Sequence, residues 1–283
     1  MCLCTFQNFL IQPTVTDQII NIMKIFTPIL CAAVLLSSMT FEAAAKKSSQ
    51  DEVKVISYNI RVINSKDGEN EWKYRAAASD AMIKDYAPDI FGLQEAMPGH
   101  LEYLNKALPK YASVGVGRED GVSKGEHMSI YYNTNTIRLE KWGTYWLSET
   151  PDVPSKGWDA ACKRTATWAL LTVKSTGKQF YYVNTHLDHR GAVAQQKGLD
   201  LIVSRIAEMN PEGLPMILTG DFNVETDSPV LAELNTRMLD ARKTAEKTDF
   251  RATFNGWGSS AIVIDFIYYS GFGSCPEYET IVR

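Results

Sequence analysis

Polar side chains capable of metal-binding or acid–base chemistry stand at the ends of four apolar, strand-like runs. The runs are 53–60, 89–94, 179–185 and 215–219. The side chains are Asn59, Glu95, Asn184 with His186, and Asp221 with Asn223. A polar residue at the end of a single strand is typical of a turn. Four together predict a shared pocket, because ligands and catalytic groups collect at strand ends in layered α/β folds.

These residue types suit the hydrolysis of a phosphoester, which requires neutralised phosphoryl charge, an oriented water and a stabilised leaving oxygen. Mg²⁺ binds one or two carboxylates together with amide oxygens and waters. Glu95, with Asn59 beside it, is therefore the predicted metal-binding pair. Asp221 and Asn223 are two residues apart and are expected to face the same side of an extended segment. There, a carboxylate can accept a hydrogen bond from water, and an amide can donate one to an anionic oxygen.

Taken in order, these motifs resemble those of the endonuclease/exonuclease/phosphatase superfamily, the DNase I-like, Mg²⁺-dependent phosphoesterases. The motifs that carry the resemblance are Ser57-Tyr58-Asn59-Ile60-Arg61, Gly92-Leu93-Gln94-Glu95, Asn184-Thr185-His186-Leu187 and Gly220-Asp221-Phe222-Asn223-Val224. The resemblance runs from Val53 to the chain end and is closest to an exported bacterial branch. It implies a phosphoesterase that uses Mg²⁺, with Mn²⁺ as a substitute. Such an enzyme cleaves a phosphodiester or phosphomonoester by in-line attack of a metal-site water.

The same resemblance implies roles for individual side chains. Asn59 and Glu95 would hold the metal. Asp221 would position or deprotonate the attacking water, while Asn223 and His186 would donate hydrogen bonds to the phosphate. The motif Val263-Ile264-Asp265-Phe266-Ile267-Tyr268 matches the strand whose aspartate orients the general-base histidine in relatives, so Asp265 joins the catalytic candidates.

Two charged residues complete the predicted substrate contacts. The full set is Asn184, His186, Asn223, Glu126 and Arg164. Glu126 directly precedes an apolar strand, where relatives often carry a second acid near the metal or phosphate. Arg164 could offer a guanidinium to a phosphate. For both residues an ordinary surface charge is an equally good interpretation.

The stretch 184–189 invites a second interpretation as a metal cluster. It lacks a matching Cys/His group elsewhere, and its side chains alternate between two faces, so this interpretation is set aside. Asp188 and His189 are expected to line or flank the site instead. His127 is expected to be structural.

The chain departs from the family pattern after Asp265. Relatives carry a further Asp-His motif on a last strand, and no Asp-His pair follows Asp265 here. Without an imidazole base, a contribution of roughly 10²–10⁴-fold to the rate is lost. A C-terminally truncated gene fragment is the favoured explanation. The alternatives are a catalytically impaired module that binds phosphoesters, or a different residue in place of the base.

The elements that must position these residues predict a layered α/β fold. Strands are expected at 53–60, 89–94, 111–116, 128–133, 137–147, 166–174, 179–185, 215–219 and 261–269, and helices at about 71–86, 98–108, 191–209 and 228–235. Interleaved strands and helices favour an α/β sandwich over a pure β-sandwich. The resemblance makes this a four-layer sandwich, two stacked and mainly antiparallel sheets flanked by helices, with the last strand missing. Residues 147–158 are expected to form a long loop.

The N-terminal region is expected to lie outside this domain. Lys24, an apolar run and Ala43-Ala44-Ala45 are typical of a signal peptide at 23–45. Its apolar core is too short for a permanent membrane anchor. Residues 1–22 are then an upstream extension, and 46–283 the domain of an exported protein, periplasmic or secreted. Within that domain, Cys162 and Cys275 either form a disulfide or remain thiols.

The net charge of −4 shows no excess of positive charge of the kind that non-specific nucleic-acid binding requires. Nucleic acid therefore remains an open but less favoured substrate. The charge favours a small or lipid-derived phosphoester as the partner of this site. A monomer is expected, and one large domain suits the length.

Overall fold

Two six-stranded β-sheets stack face to face in the computed structural model, which describes residues 1–9 and 52–282. The first sheet contains, in spatial order, β12 (Phe272–Thr280), β1 (Cys2–Phe9), β2 (Val53–Asn59), β3 (Ile90–Gln94), β5 (Ile130–Asn133) and β4 (Tyr111–Val114). The second contains β10 (Leu239–Asp240), β11 (Asp265–Ser270), β9 (Met216–Asp221), β8 (Gln179–His186), β7 (Thr165–Val173) and β6 (Ile137–Trp146).

Each sheet has one parallel pair, β2 with β3 and β8 with β9, and its other neighbours are antiparallel. The predicted sandwich of mainly antiparallel sheets is therefore confirmed. The parallel pairs matter for function, because β2 and β3 end at the same edge of the first sheet, and β8 and β9 at the same edge of the second.

Helices flank both sheets. They are α1 (Trp72–Tyr86), α2 (Pro98–Ala107), α3 (Ala192–Met209), α4 (Ala232–Arg237) and α5 (Ala241–Thr244), with short 3₁₀ turns at 65–70, 229–231 and 256–258. The four predicted helices are present, the last as a 3₁₀ turn followed by α4. None of the helices among residues 1–9 and 52–282 is long and apolar enough to cross a bilayer.

Three apolar clusters hold the layers together. One lies between the sheets and includes Phe6, Val55, Tyr182 and Ile217, all fully buried. A second joins the second sheet to α3 and α4, and a third joins the first sheet to α1 and α2. Fully burying one large apolar side chain stabilises a fold by roughly 1.5–3 kcal/mol. The inter-sheet cluster therefore fixes how the two polar sheet edges face each other.

The position of the first residues corrects the domain prediction. Residues 1–22 were expected to lie outside the fold, but β1 pairs with β2 on one side and with β12 on the other. The reason is a period-two pattern in which Cys2, Cys4 and Phe6 enter the inter-sheet core. With β1 included, each sheet has six strands, and the predicted absence of the family's last strand stays a prediction. The predicted signal peptide at 23–45 lies outside the described residues.

A disulfide links β1 to β12. Cys4 and Cys275 are bonded, with their Cα atoms 6.7 Å apart, while Cys162 and Cys2 are free. The sequence predicted either a disulfide between Cys162 and Cys275 or two free thiols, and neither is found, because Cys275 bonds to Cys4. Cys4 lies in the N-terminal region that was expected to lie outside the domain. β12 itself escaped prediction, since Gly273 and Pro276 weaken its strand pattern.

Candidate active site

Three carboxylates from different strands meet at one edge of the sandwich: Glu95, Asp221 and Asp265, here called the carboxylate cluster. Asn59 connects two of its members. The Asn59 Nδ2 group donates to Glu95 Oε1 at 3.0 Å and to Asp221 Oδ2 at 2.9 Å. The parallel register that aligns Asn59 with Gln94 brings Glu95 beside it. Residues 162 positions apart in the chain thus share one site.

Two tight turns fix Glu95. Its backbone is left-handed, with φ 60°, as is that of Arg61, with φ 62°. Glu95 Oε2 accepts from the Val62 backbone N–H at 2.7 Å, and Asn59 Oδ1 accepts from the Arg61 N–H at 3.0 Å. Left-handed non-glycine residues cost energy and cluster at functional sites. The strain here aims the carboxylate into the site.

Asp221 and Asp265 are paired directly across β9 and β11. Both side chains are buried, and Asp265 Oδ1 has no hydrogen-bond partner. Burial raises the pKa of each carboxyl, and the charge of Asp265 raises that of Asp221 further. Unpaired buried acids are costly unless a cation or proton compensates them.

This donor set fits a divalent cation such as Mg²⁺, which prefers carboxylate oxygens. Glu95 and the unpartnered oxygen of Asp265 offer ligand atoms as they stand. Asn59 presents its NH₂ group to the carboxylates and its oxygen to Arg61. To serve as the predicted metal ligand it must therefore turn its amide over. The assignment of Asn59 and Glu95 to a metal stays a prediction.

Asn223 joins Asp221 to His186, but not in the way the sequence suggested. The segment is not extended, because Asn223 has φ 51° and its backbone N–H donates to Asp221 Oδ1 at 3.0 Å. The expected extended conformation is not observed, but the two side chains do face the same side, since Asp221 Oδ2 also lies 3.7 Å from His186 Nε2. A left-handed turn brings Asn223 Nδ2 to 2.9 Å from His186 Nε2 instead.

The same amide defines the state of His186. Asn223 Nδ2 also donates to the Leu187 carbonyl at 3.0 Å, so the nitrogen faces the ring and His186 Nε2 is the acceptor. Burial lowers the pKa of His186 well below its ordinary value, and the Arg164 charge adds to this effect. The ring is neutral, with its proton on Nδ1. Asn223 must exchange its bond to His186 before it can donate to a phosphate.

Arg164 is not a surface charge. Its side chain is 5% exposed, with Nε 3.3 Å from Asp188 Oδ2 and Nη2 3.0 Å from His189 Nδ1. Its Nη1 and the His186 Nδ1 are buried without a partner. The structure thus places two unpartnered nitrogen donors on the side of the site formed by β7 and β8.

Glu126 pairs with a residue that sequence reasoning missed. Arg118 Nη1 lies 2.7 Å from Glu126 Oε2, and both side chains are largely buried. Burial raises the pKa of Glu126, and the Glu95 charge contributes, so the pair lies near the carboxylate cluster. Arg118 stands in the turn that follows β4, and no motif in the sequence marks it as a site residue.

Asp188 ties the 147–163 segment to the end of β8. Its carboxylate accepts from four backbone N–H groups, those of Ala161, Cys162, Arg190 and Gly191. These bonds hold the pKa of Asp188 far below its usual range despite its burial. The predicted long loop before β7 is therefore docked against the site.

Among the described residues, Cys162, Asp188 and His189 bring ligand atoms within 4.8 Å of one another. A cation there would compete with Arg164, which already contacts Asp188 and His189. The group is therefore a poor cation site, which agrees with setting aside a metal cluster in 184–189.

Asn184 lies beneath the site rather than in it. It is fully buried, its Nδ2 donates to the carbonyls of Leu93 and Ser129, and its Oδ1 accepts from Gln94 and Thr219. Every hydrogen-bonding group of the amide is used between the two sheets. These contacts favour a structural role over the predicted substrate contact.

Replacing Asn184 with alanine is therefore expected to lower the free energy of unfolding by about 2–4 kcal/mol, because buried partners lose their bonds. Urea denaturation measures this loss, with Asn135→Ala, at an exposed turn, as the control. An unchanged stability combined with a raised KM would restore Asn184 to the substrate contacts.

The two stacked sheets and the polar cluster at their edge define a DNase I-like α/β sandwich. The chain belongs to the Endonuclease/Exonuclease/phosphatase family, whose model matches residues 56–279. Members of this family are phosphoester hydrolases and generally depend on divalent metals.

Three similar proteins come from bacteria and a virus. An endonuclease/exonuclease/phosphatase structure from Bacteroides vulgatus is 38% identical with a TM-score of 0.72, covering 76% of this chain and 85% of that one. A mannosyl-6-phosphatase from Bacteroides thetaiotaomicron is 36% identical with a TM-score of 0.73, covering 76% and 84%. An uncharacterized protein of Acanthamoeba polyphaga mimivirus is 27% identical over 198 residues, 66% of this chain and 73% of that protein.

Proposed function

We propose that this protein is an exported, Mg²⁺-dependent phosphatase that hydrolyses small phosphomonoesters such as sugar phosphates. The observation that carries the proposal is the carboxylate cluster, in which Asn59 bridges Glu95 and Asp221 beside the unpartnered oxygen of Asp265. Two buried acids, Asp221 and Asp265, beside the half-buried Glu95 are a costly arrangement that a divalent cation compensates.

Each of these residues has a separate role in the in-line attack of water on phosphorus. Bound at Glu95 and Asp265, with Asn59 turned toward it, Mg²⁺ would neutralise phosphoryl charge. Asp221 has carboxylate oxygens at the junction with Asn59 and His186, where it can accept a hydrogen bond from the attacking water. His186 Nδ1 and Arg164 Nη1, the unpartnered donors, can orient phosphoryl oxygens once a substrate opens the space they face.

Two observations favour a small monoester over nucleic acid. The chain has a net charge of −4, whereas non-specific nucleic-acid binding relies on clustered positive charge. A structural neighbour with 36% identity is a mannosyl-6-phosphatase. Sugar phosphates are accordingly the first substrate class to test.

Export forms part of the proposal because residues 23–45 have the pattern of a signal peptide. It has a structural consequence. Cleavage after residue 45 would break the chain between β1 and β2, so that β1 would be held only by its strand pairing and by the Cys4–Cys275 disulfide. The intact mass of the secreted protein, measured with and without a reductant, shows whether β1 is retained.

A second candidate is a phosphoester-binding module without turnover. It is favoured by Asp265, whose Oδ1 has no partner, whereas the aspartate at this position is expected to orient a histidine. All four histidines of the chain lie within the described residues, and none forms a hydrogen bond with Asp265. Binding without product formation is the signature of this candidate.

A substrate panel tests the proposal. Mannose 6-phosphate, bis(p-nitrophenyl) phosphate and duplex DNA are incubated with the protein in Mg²⁺, in Mn²⁺ and in EDTA. The proposed phosphatase releases phosphate from the monoester only when a metal is present. Calorimetric binding of the monoester without release would favour the binding module. DNA cleavage that falls steeply with salt, and no monoester turnover, would contradict the proposed substrate class.

A further inference from the structure

A loop between α5 and β11, residues 253–260, is tied to the carboxylate cluster at its base. Thr253 Oγ1 accepts from the backbone N–H groups of Ile264 and Asp265, both at 3.1 Å. Phe254 forms a β-bridge with Ile262, which closes the loop on itself. The start of the 253–260 loop is therefore fixed directly beside Asp265.

The tip of the same loop reaches the opposite side of the cluster. Trp257 lies over Arg75, with the guanidinium carbon 5.8 Å from the centre of its ring. Arg75 Nη1 donates to the Ile60 carbonyl at 2.9 Å, directly after Asn59. The 253–260 loop thus runs from Asp265 to the backbone that follows Asn59, which places Trp257 at the rim of the candidate site.

Trp257 is held in an unusual state for a large apolar residue. Its backbone is left-handed, with φ 57°, between Gly256 and Gly258, which also have positive φ. Asn255 Oδ1 accepts from the Trp257 N–H at 3.0 Å and stabilises this turn. The side chain is nevertheless 52% exposed. Backbone strain and an exposed indole both cost free energy, and strained residues of this kind cluster at ligand sites.

One side of the indole is occupied. Arg75 lies between Trp257 and Trp72, with its guanidinium carbon 5.8 Å and 5.6 Å from the two rings. Trp72 is 7% exposed, so this end of the stack is rigid. The Trp257 ring is therefore a preorganised platform whose remaining surface faces outward at the rim of the site.

We propose that Trp257 is a specificity-determining residue that packs against the pyranose ring of a sugar phosphate while the phosphate occupies the carboxylate side. The proposal rests on the phosphatase function above and names how its substrate is selected. The C–H face of a pyranose is apolar and matches an exposed indole, and the contact leaves the sugar hydroxyls solvated. Trp257 takes no part in bond cleavage.

Steady-state kinetics with two monoesters tests this role. Mannose 6-phosphate carries a ring, and O-phosphoethanolamine does not. Trp257→Ala is expected to raise KM for mannose 6-phosphate about tenfold while kcat changes little, and Trp257→Phe should recover most of the loss. Neither variant should alter KM for O-phosphoethanolamine. Trp142→Ala is the matched control, because Trp142 is 42% exposed on the edge strand β6.

A binding measurement separates this proposal from the proposed function. Saturation-transfer NMR detects contact between the protein and the sugar C–H protons without turnover, and Trp257→Ala should abolish that signal while Trp142→Ala retains it. Binding of the sugar phosphate without turnover would contradict the proposed phosphatase function but would still support the role of Trp257 as a binding platform for the sugar ring. Equal KM values in wild type and Trp257→Ala, or a preference for nucleoside 5′-phosphates over the sugar phosphate, would overturn the platform.

Discussion

Glu95→Gln is expected to reduce metal-dependent kcat/KM by about 10³-fold, because the Glu95 carboxylate is proposed to hold the metal that neutralises charge at the phosphoryl group. The Glu95 carboxylate is held by Asn59 Nδ2 and by the Val62 N–H at the end of β3. Glutamine keeps the size of the side chain and removes the charge. Turnover assays across a Mg²⁺ titration should show both a lower maximum and a weaker apparent metal affinity.

The same substitution should weaken the stabilisation of the protein by Mg²⁺. The charge of Glu95 raises the pKa of both Asp221 and Asp265, so it adds to the negative charge that attracts a cation to the carboxylate cluster. A smaller upward shift of the melting temperature of Glu95→Gln than of the wild type on adding Mg²⁺ identifies a metal site. Glu102→Gln, on the exposed side of α2, is the control. Metal-dependent turnover within tenfold of wild type in Glu95→Gln would rule out the metal assignment.

Asp221→Asn should reduce kcat by roughly 10²–10⁴-fold, the usual contribution of a positioned proton acceptor. Asp221 Oδ2 accepts from Asn59 Nδ2, and its Oδ1 accepts from the backbone N–H of Asn223. An amide can satisfy only one of these donors and cannot take a proton from water. Single-turnover measurements at saturating substrate isolate this step from product release.

Metal affinity distinguishes Asp221→Asn from Glu95→Gln. If Asp221 acts on the water, its variant stays slow at saturating Mg²⁺, while the Mg²⁺ concentration that gives half-maximal activity changes little. Asp227→Asn, in the turn before α4, is a control of the same chemistry outside the site. A variant whose rate recovers fully at high Mg²⁺ would show that Asp221 is a metal ligand instead.

The strand ends and their sharing of one pocket could be predicted from local sequence. Asn59, Glu95 and Asp221 each follow an apolar run, and the parallel pairs β2 with β3 and β8 with β9 bring such ends to the same edge. The local pattern does not show how deeply each side chain is buried in the sandwich. Asn184 and His186 lie on one face of β8, but Asn184 is two residues, or about 7 Å, further into the sandwich, where it meets Gln94 and Thr219.

Other features depend on partners remote in the chain. β1 is stable as a strand because it pairs with β2 on one side and β12 on the other, and its disulfide joins residues 271 positions apart. Arg118 acquires a role only when its loop folds back onto Glu126. The left-handed turn at Asn223 accompanies the contact of its amide with His186. The alternation of side chains along a strand, on which the prediction was based, takes no account of this contact. Such non-local contacts decide which polar residues face a substrate.

The most direct test of the phosphatase proposal is phosphate release from mannose 6-phosphate in water enriched in oxygen-18, with Mg²⁺ present or removed by EDTA. We expect release only with Mg²⁺, and one heavy oxygen in each phosphate, since in-line attack by water at phosphorus breaks the P–O bond. No release under either condition, or release of phosphate without the label, would contradict a metal-dependent phosphatase at the carboxylate cluster.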